Sequence, residues 1–355
     1  MNGLTLANPY LTHDLSPPPP QSYRYRQWCE RGYHPSLQPI SSDSELGFLI
    51  GQMSWVGSHA HAHGYLWGSA GNVGALLSEA VDPNCLLPRD ESPRYALPPA
   101  ITVKRLAGQH VLLTKSGSRL DMIALEHPAL NLTIVEVEDD GVHYRMRFGT
   151  PSASVLDRTQ MKPPKPTSEM FHYMLILDQL EQDGFKALVH LQPKFLNLIS
   201  RTEHGHPSRF YDFLKGYEPE TPIMYEKCGG IGFVQERAPG IPELSYESLR
   251  LFKMEDFPPE RRNSMRHILY WVGHGTFSRG TDILDAYKHA EYFEAAARMA
   301  WEANQKLVNA QAYNEEIINC ILREFQLNQR SPQEPPGQVA LNRDSGGKEN
   351  LYNYP

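Results

Sequence analysis

Apolar residues recur along the chain at two spacings, one typical of helices and one typical of strands. SELGFLIGQMSWVGSHAH and TSEMFHYMLILDQLEQDG show the helical spacing, and each starts with the Ser, Thr or Asp residues that cap helices. The second segment ends at a glycine suited to a helix C-cap. The same spacing predicts a helix across LSYESLRLF and a long helix from about Ile283 to Phe325.

Short runs of β-branched and apolar residues predict the strands. They occur in ITVKRLAGQHVLLT, KALVHLQP, TPIMYEK, GIGFVQE and HILYWVGHG. LNLTIVEVEDDGVHYRMRF predicts a hairpin that turns at DDG, where glycine can adopt a positive φ. Hairpins and crossover connections mixed with helices predict an α/β protein, a three-layer α/β/α sandwich with a mixed central sheet.

The ends of the chain differ in composition from its middle. Residues 1–24 and 329–355 are rich in Pro, Gly, Asn and Ser and poor in core-forming residues, so both are predicted to be flexible. Residues 25–328 contain no repeat of fixed period and no linker long enough to separate two cores. We therefore predict one domain over residues 25–328.

Composition and charge narrow the class of protein. The 355 residues are 40% hydrophobic and 10% aromatic, which is enough for a sizeable core. The apolar runs fall short of the roughly 18 residues of a membrane span, and the N-terminus lacks a signal-peptide pattern, which predicts a cytoplasmic protein without a membrane partner. The net charge of −7 comes without a basic block and argues against a nucleic-acid partner. Four cysteines lie far apart and suggest reduced thiols.

Two histidines follow predicted strands. His190 lies at the end of one strand, and His274 lies at the end of another, between Gly273 and Gly275. Because ligands collect at strand ends in α/β sheets, the two could share a divalent metal, with Glu169 as a carboxylate ligand or a base. The alternative is that each histidine bonds a nearby carbonyl group.

Two loops could bind an anion. WGSAGNVGA and LTKSGS combine Gly, Ser, Thr and Asn, and such loops can turn backbone N–H groups toward a phosphate. Lys115 would add a positive charge in the second loop. Plain turns are the alternative interpretation of both.

The order of these segments resembles the class II aldolase/adducin family, most closely its rhamnulose-1-phosphate aldolase branch. GSAGNV, VLLTKSGS, the hairpin, TSE opening a helix, VHLQP, GIGFVQERAPGIPEL and GHGTFSRGTDILDAYKHAEYFEAAARM follow one another as in that family. The resemblance covers about residues 45–300. The most specific segments are TSE before the histidine strand and the HG-x-F-x-x-G motif with its helix.

The resemblance implies a set of site residues. In the family a divalent metal, usually zinc, is held at positions that correspond to His190, Gln192 and His274, and Glu169 corresponds to the acid/base of carbon–carbon cleavage. Fe²⁺ and Mn²⁺ are the other metals that the ligand types allow. The metal would stabilise an enediolate, and a desolvated Glu169 would have a raised pKa. The residues implied to contact phosphate and sugar oxygens are Asn72, Thr114, Ser116, Gly117, Thr167 and Ser168, and Lys115 of the same loop is the candidate phosphate ligand named above.

The resemblance also implies an assembly. Relatives are commonly homotetramers with active sites between subunits, and a neighbouring subunit supplies an acidic residue or a tyrosine. GYEPETP offers Tyr217, Glu218 or Glu220 for that role, and the match does not choose among them.

Gln192 departs from the family, which has histidine at this position. An amide oxygen is a weaker zinc donor than imidazole, which leaves three outcomes open. The metal is bound by His190, His274, Gln192 and Glu169, an approach to the two-histidine, one-carboxylate set of iron(II). Alternatively, a further histidine joins the site from among His172, His204 and His206, or the metal is lost.

The predicted function is a metal-dependent lyase of the aldolase type that acts on a phosphorylated ketose or a related hydroxycarbonyl compound. The alternatives are an enzyme of this fold with other chemistry (dehydratase, epimerase, decarboxylase or iron-dependent oxygenase) and a metal-free, adducin-like binding or scaffold protein. His59, His61 and His63 are predicted to form a polar helix end rather than metal ligands, and Trp55 and Trp67 to fill the core or an interface.

Overall fold

A computed structural model describes most of the predicted domain. It covers residues 43–304, except residues 93, 126–127, 148–164, 215–220, 236, 238–239 and 259–265, together with the pairs 11–12 and 40–41. The predicted flexible segments and the boundaries at 25 and 328 fall mostly outside the described residues and stay predictions.

Eight helices lie in the described residues. They are α1 (Glu45–Ala62), α2 (Pro128–Asn131), α3 (Met170–Leu180), α4 (Lys194–Ser200), α5 (Pro207–Leu214), α6 (Thr221–Lys227), α7 (Pro242–Phe252) and α8 (Ile283–Asn304).

Nine strands form the central sheet, and a two-residue parallel pair lies apart from it. The pair is β1 (Leu11–Thr12) with β2 (Ile40–Ser41); the sheet contains β3 (Asn72–Leu77), β4 (Arg94–Ala96), β5 (His110–Thr114), β6 (Leu132–Val137), β7 (His143–Met146), β8 (Ala187–Leu191), β9 (Ile231–Val234), β10 (Ile268–Trp271) and β11 (Gly275–Gly280). Its spatial order is β4-β7-β6-β5-β3-β8-β11-β10-β9. All neighbours are antiparallel except β9 and β10, so the sheet is mixed.

Helices cover both faces of this sheet. One core cluster joins the sheet to α1, α4, α5 and α8, and the other joins it to α3 and α7. Each helix turns an apolar stripe inward, which gives three layers. The predicted α/β/α sandwich with a mixed sheet is confirmed.

Most predicted elements are present, but the strand predicted for TPIMYEK is wrong. This segment forms the helix α6, in which a proline occupies the first turn, where its missing N–H has no helical partner in any case. Met224 and Tyr225 pack against the first core cluster from this helix, and the Tyr225 ring stacks on Tyr211 with centroids 4.1 Å apart. Packing between helices therefore overrides the strand propensity of the short apolar run.

Helix α8 fixes the turn that follows β8. The carboxylate of Glu294 accepts hydrogen bonds from the backbone N–H groups of Phe195 (2.8 Å) and Leu196 (2.9 Å), in the first turn of α4. Burial raises the pKa of Glu294 to about 7, although these N–H donors oppose the shift. The chain leaving His190 is thus tied to the helix behind it.

A search of the described helices for a membrane-spanning segment finds none that is both long enough and apolar enough.

Candidate active site and metal centre

The candidate site lies where four neighbouring strands reach one edge of the sheet. β5 and β8 end there, and β3 and β11 begin there, because neighbours run in opposite directions. A cavity of about 530 Å³ opens at this edge. It is lined by Trp67, Gly68, Ser69, Ala70, Gly71, Asn72, Lys115, Ser116, Gly117, Thr167, Ser168, Glu169, His190, Gln192 and His274.

His190 and His274 meet inside this pocket. Their Nε2 atoms are 3.2 Å apart. The Nδ1–H of His190 donates to the carbonyl oxygen of Thr276 at 2.8 Å, which leaves the Nε2 lone pair directed at the pocket. Burial lowers the pKa of both imidazoles, that of His274 to about 4, so both are neutral near pH 7.

This pair suits a divalent metal ion. Neutral imidazole is a preferred zinc ligand, and two nitrogens each about 2.0–2.1 Å from a tetrahedral zinc are roughly 3.3 Å apart. The observed 3.2 Å agrees with that separation. No group of three or more His, Cys, Asp or Glu side chains arranged to hold a metal is found in the described part of the chain. Two imidazoles are therefore the protein ligands that the geometry supports directly.

Gln192 lines the pocket, but its amide has another partner. The Oε1 atom of Gln192 accepts a hydrogen bond from the indole Nε1 of Trp67 at 3.4 Å. The predicted ligand role of Gln192 stays a prediction, and the contact with Trp67 offers a different one.

None of the further histidines proposed from the sequence lines the pocket. The His172 ring packs against Trp271, with centroids 5.0 Å apart, and its Nδ1 lies 3.1 Å from the Ser245 hydroxyl. Trp271 in turn contacts His190 and His274 (centroids 5.1 and 5.5 Å), so the indole lies next to all three imidazoles.

The two other candidates have partners of their own. The His204 ring stacks on Phe213 with centroids 4.3 Å apart, and His206 Nδ1 lies 2.7 Å from the Ser208 hydroxyl. Neither is among the residues that line the pocket.

Glu169 is buried at the start of α3, and one of its oxygens accepts three hydrogen bonds. Oε2 accepts from Asn72 Nδ2 (2.9 Å), Thr167 Oγ1 (2.6 Å) and Ser168 Oγ (2.8 Å). The Tyr173 hydroxyl donates to Asn72 Oδ1 at 2.7 Å and so orients the amide. Oε1 is left for a ligand, since no hydrogen bond joins it to a described residue.

The pKa of Glu169 is lower than the sequence analysis predicted. Burial raises it, but the neighbouring His190 and His274 and the Thr167 hydroxyl lower it by more, so that it lies below its usual value. The predicted raised pKa is wrong because desolvation is only one contribution, and attraction to the two imidazoles together with the Thr167 hydrogen bond outweighs it here. Glu169 therefore carries a negative charge near pH 7.

The loop after β5 contributes a buried amine. Lys115 is 7% exposed, and burial lowers the pKa of its amine to about 7. The backbone N–H groups of Lys115 and Ser116 donate to the carbonyl oxygens of Asn131 and Lys165, both at 2.8 Å. These two N–H groups are therefore already bonded and do not face an anion, contrary to the prediction. Side chains must supply most of the anion contacts.

Thr114 is the predicted binding residue that does not line the pocket. It is 1% exposed, and its hydroxyl accepts from the Val73 N–H at 3.3 Å. Its observed contact joins β5 to β3.

The close approach of two loops to the sheet requires glycine. A Cβ atom at Gly71 would lie 2.9 Å from the carbonyl oxygen of His190, and one at Gly275 would lie 2.1 Å from that of Leu191. The loop that ends at Gly71 and the start of β11 at Gly275 can therefore run directly against the end of β8.

The histidines of SHAHAHG lie away from the pocket. His59 Nδ1 is 2.8 Å from the Tyr287 hydroxyl, His63 Nδ1 is 2.9 Å from the carbonyl oxygen of His59, and His61 Nε2 is 3.9 Å from an Asp121 carboxylate oxygen. The predicted neighbour-site residues Tyr217, Glu218 and Glu220 lie outside the described residues.

Both tryptophans that were predicted to be fillers are half exposed in this chain. Trp55 is 48% exposed on α1, and Trp67 is 53% exposed at the pocket. Neither side chain fills the core of this chain, and the alternative that they fill an interface stays a prediction.

Sequence reasoning missed a network that holds the His274 loop. Asn197 Nδ2 donates to the His274 carbonyl oxygen (3.3 Å), and Arg201 Nη2 donates to that of Gly273 (3.3 Å). The Tyr270 hydroxyl donates to Asn197 Oδ1 (2.7 Å). The three residues lie within about a dozen positions of His190 or His274, but no spacing pattern in the sequence marks them.

Comparison with known proteins gives consistent matches. The family model of the class II aldolase and adducin N-terminal domain matches residues 52–301. The rhamnulose-1-phosphate aldolase of Klebsiella pneumoniae (strain 342) is 24% identical over 235 residues, which is 65% of this chain and 76% of that protein. The enzyme of the same name from Listeria welshimeri is 25% identical over 239 residues, 67% of this chain and 77% of that protein.

A solved structure shows the same fold. The crystal structure of a sugar-phosphate aldolase from Thermotoga maritima superposes with a TM-score of 0.57 at 21% identity. The match covers 76% of this chain and 100% of that one.

The network around His274 generates a prediction. Asn197→Ala removes the donor to the His274 carbonyl, and we expect zinc affinity to fall by about tenfold, as is typical when a group that orients a metal ligand is lost. Competition with a chromophoric chelator measures the dissociation constant. Ser200→Ala is the matched control, because the Ser200 hydroxyl bonds Tyr270 and the Asn197 carbonyl oxygen (both 2.8 Å) and makes no described contact with the His274 loop. Equal affinities of the Asn197→Ala variant and the unchanged protein would contradict this role.

Proposed function

The chain belongs to the class II aldolase and adducin family, and on that premise we propose that it is a metal-dependent lyase. Its substrate is a phosphorylated ketose or a related hydroxycarbonyl compound, in which it breaks or forms a carbon–carbon bond. The observation that carries this proposal is the 3.2 Å pair of His190 and His274 in one pocket with the buried carboxylate of Glu169.

The relatives support the same reaction class. Both are named rhamnulose-1-phosphate aldolases and share about a quarter of their residues with this chain over the matched region, 24% and 25%. Identity at this level supports an aldolase-type lyase and leaves the substrate to be determined.

His190 and His274 would hold the metal through their Nε2 atoms, with zinc as the first candidate. A divalent cation bound there supplies Lewis-acid stabilisation for the negative charge that develops when the carbon–carbon bond breaks. The Nδ1–H of His190, bonded to Thr276 O at 2.8 Å, fixes the tautomer that binds a cation.

Glu169 moves the proton. In cleavage, the hydroxyl group β to the substrate's carbonyl loses its proton and becomes a new carbonyl group. The carbon–carbon bond between the two groups breaks, and its electron pair stays on the carbon next to the original carbonyl. Because Oε2 of Glu169 already accepts three hydrogen bonds, Oε1 is the atom that can accept this proton and later return one to carbon.

The Lys115 loop would hold the anionic end of the substrate. Lys115, Ser116 and Gly117 line the pocket together with Ser168. A buried amine loses its proton readily, and a phosphate placed beside it restores the charge, so substrate binding and protonation of Lys115 favour each other.

Replacing the carboxylate tests the proton transfer. We expect Glu169→Gln to slow cleavage of ketose 1-phosphates by about a hundredfold to ten-thousandfold, because the amide cannot accept the proton. Release of the phosphate-bearing fragment from a panel that includes rhamnulose 1-phosphate gives the rate, and elemental analysis gives the metal content. Glu181→Gln, at the other end of α3, is the control. A protein that contains no divalent metal and cleaves no member of the panel would contradict the proposal.

The pKa of Lys115 predicts a pH dependence of anion binding. Below about pH 7 the amine is charged, and above it the amine is neutral, so the affinity for sulfate should fall by up to about tenfold per pH unit between roughly pH 7 and pH 9. Sulfate keeps its charge over this range, and isothermal titration measures the affinity. The Lys115→Met variant should bind sulfate weakly, with an affinity that does not change with pH.

The exposed Lys165, next to the same loop, provides the control for that experiment. The sulfate affinity of the Lys165→Met variant should fall with rising pH as it does in the unchanged protein. A sulfate affinity that does not change with pH in the unchanged protein would show that Lys115 does not hold the anion.

A further inference from the structure

Trp67 differs from everything else that lines the pocket. Among the described lining residues it has the one large apolar side chain, and 53% of its surface is exposed. Most of the other lining residues are polar, charged or glycine. An indole left half in water at the mouth of a polar pocket gains free energy from any ligand that covers it.

The indole is held in place at its polar edge. Its Nε1–H donates to Gln192 Oε1 at 3.4 Å, and the backbone N–H of Gln192 donates to the Tyr65 carbonyl oxygen at 3.1 Å. The Trp67 carbonyl oxygen accepts from the Ala70 N–H at 3.0 Å. Since the indole N–H already has a partner, the ring faces are what Trp67 offers to a ligand.

The strand order separates the indole from the anion loop. Lys115 follows β5, and Gln192, which holds the indole, follows β8; β3 lies between these strands. Two strand spacings correspond to roughly 10 Å. The pocket thus has a cationic end and an aromatic end. The candidate reactive groups come from the strands between them, His190 from β8 and Asn72, which bonds Glu169, from β3.

We propose that Trp67 is a specificity-determining wall that selects hydroxycarbonyl substrates carrying an aromatic ring, and that Gln192 holds this wall rather than ligating the metal. This inference rests on the proposed function, because it assumes that the hydroxycarbonyl group binds at the histidine pair. It also gives a role to the glutamine that departs from the family at position 192, because its amide oxygen accepts from the indole N–H.

Two acids that differ in one ring test the inference. Lactate and phenyllactate share the 2-hydroxycarboxylate group, and only the second has a phenyl ring. Isothermal titration of each into the zinc-loaded protein gives the ratio of their dissociation constants. We expect phenyllactate to bind at least about fivefold more tightly, the size of effect that ring stacking gives. Trp67→Ala should bring the ratio close to one, and Trp67→Phe, which keeps a ring, should preserve most of it.

Trp55→Ala is the matched control, because Trp55 is also half exposed (48%) and lies outside the pocket. It should keep the ratio of the unchanged protein. A ratio near one in the unchanged protein while lactate binds overturns the inference and leaves the proposed function standing. A Trp67→Ala variant that keeps the original ratio also overturns it, and if this variant alters the oligomeric state, Trp67 belongs to a contact between copies. If neither acid binds the zinc-loaded protein, the inference fails, and the metal analysis and the cleavage assay of ketose 1-phosphates decide the proposed function separately.

Discussion

The site depends on the 3.2 Å approach of two imidazole nitrogens, His190 Nε2 and His274 Nε2. The antiparallel pairing of β8 with β11 sets this distance, because it places the end of one strand beside the start of the other. Gly275 permits the pairing to continue to the last residue of β8, where any side chain would collide with the Leu191 carbonyl oxygen. The geometry of the histidine pair is thus a consequence of strand register, and the hydrogen bonds of Asn197 and Arg201 hold the His274 loop in place.

Burial of polar groups is the second constraint on this pocket. The pKa of Glu169 lies below its usual value although the group is buried, because the neighbouring His190 and His274 and the Thr167 hydroxyl lower it by more than burial raises it. Burial lowers the pKa of the imidazoles themselves, so both are neutral near pH 7. Lys115 loses most of its preference for the charged form in the same way. The pocket therefore combines a fixed negative charge, two neutral imidazoles and an amine whose charge depends on what is bound beside it. These are the properties that binding and cleaving an anionic hydroxycarbonyl compound requires.

Sequence reasoning predicts the parts of this account that rest on local patterns. Predicted strand ends located His190 and His274, the second between two glycines, and local composition located the Lys115 loop. The order of motifs joined these residues and Glu169 into one site. It failed where contacts between distant residues decide. α6 has the apolar run of a strand but is held as a helix by packing, and the pKa of Glu169 depends on His190, His274 and Thr167, which come from three separate segments. The exposure of Trp67 and its bond to Gln192 follow from loop geometry across 125 residues of chain, which no local spacing encodes.

The central claim is that His190 and His274 together bind one divalent ion. Anomalous diffraction at the zinc edge from crystals of the zinc-loaded protein tests it most directly. The account predicts a single peak about 2.1 Å from both Nε2 atoms, which disappears in crystals of the His274→Ala variant. Zinc bound elsewhere, or a peak that persists at the same position without His274, would contradict it.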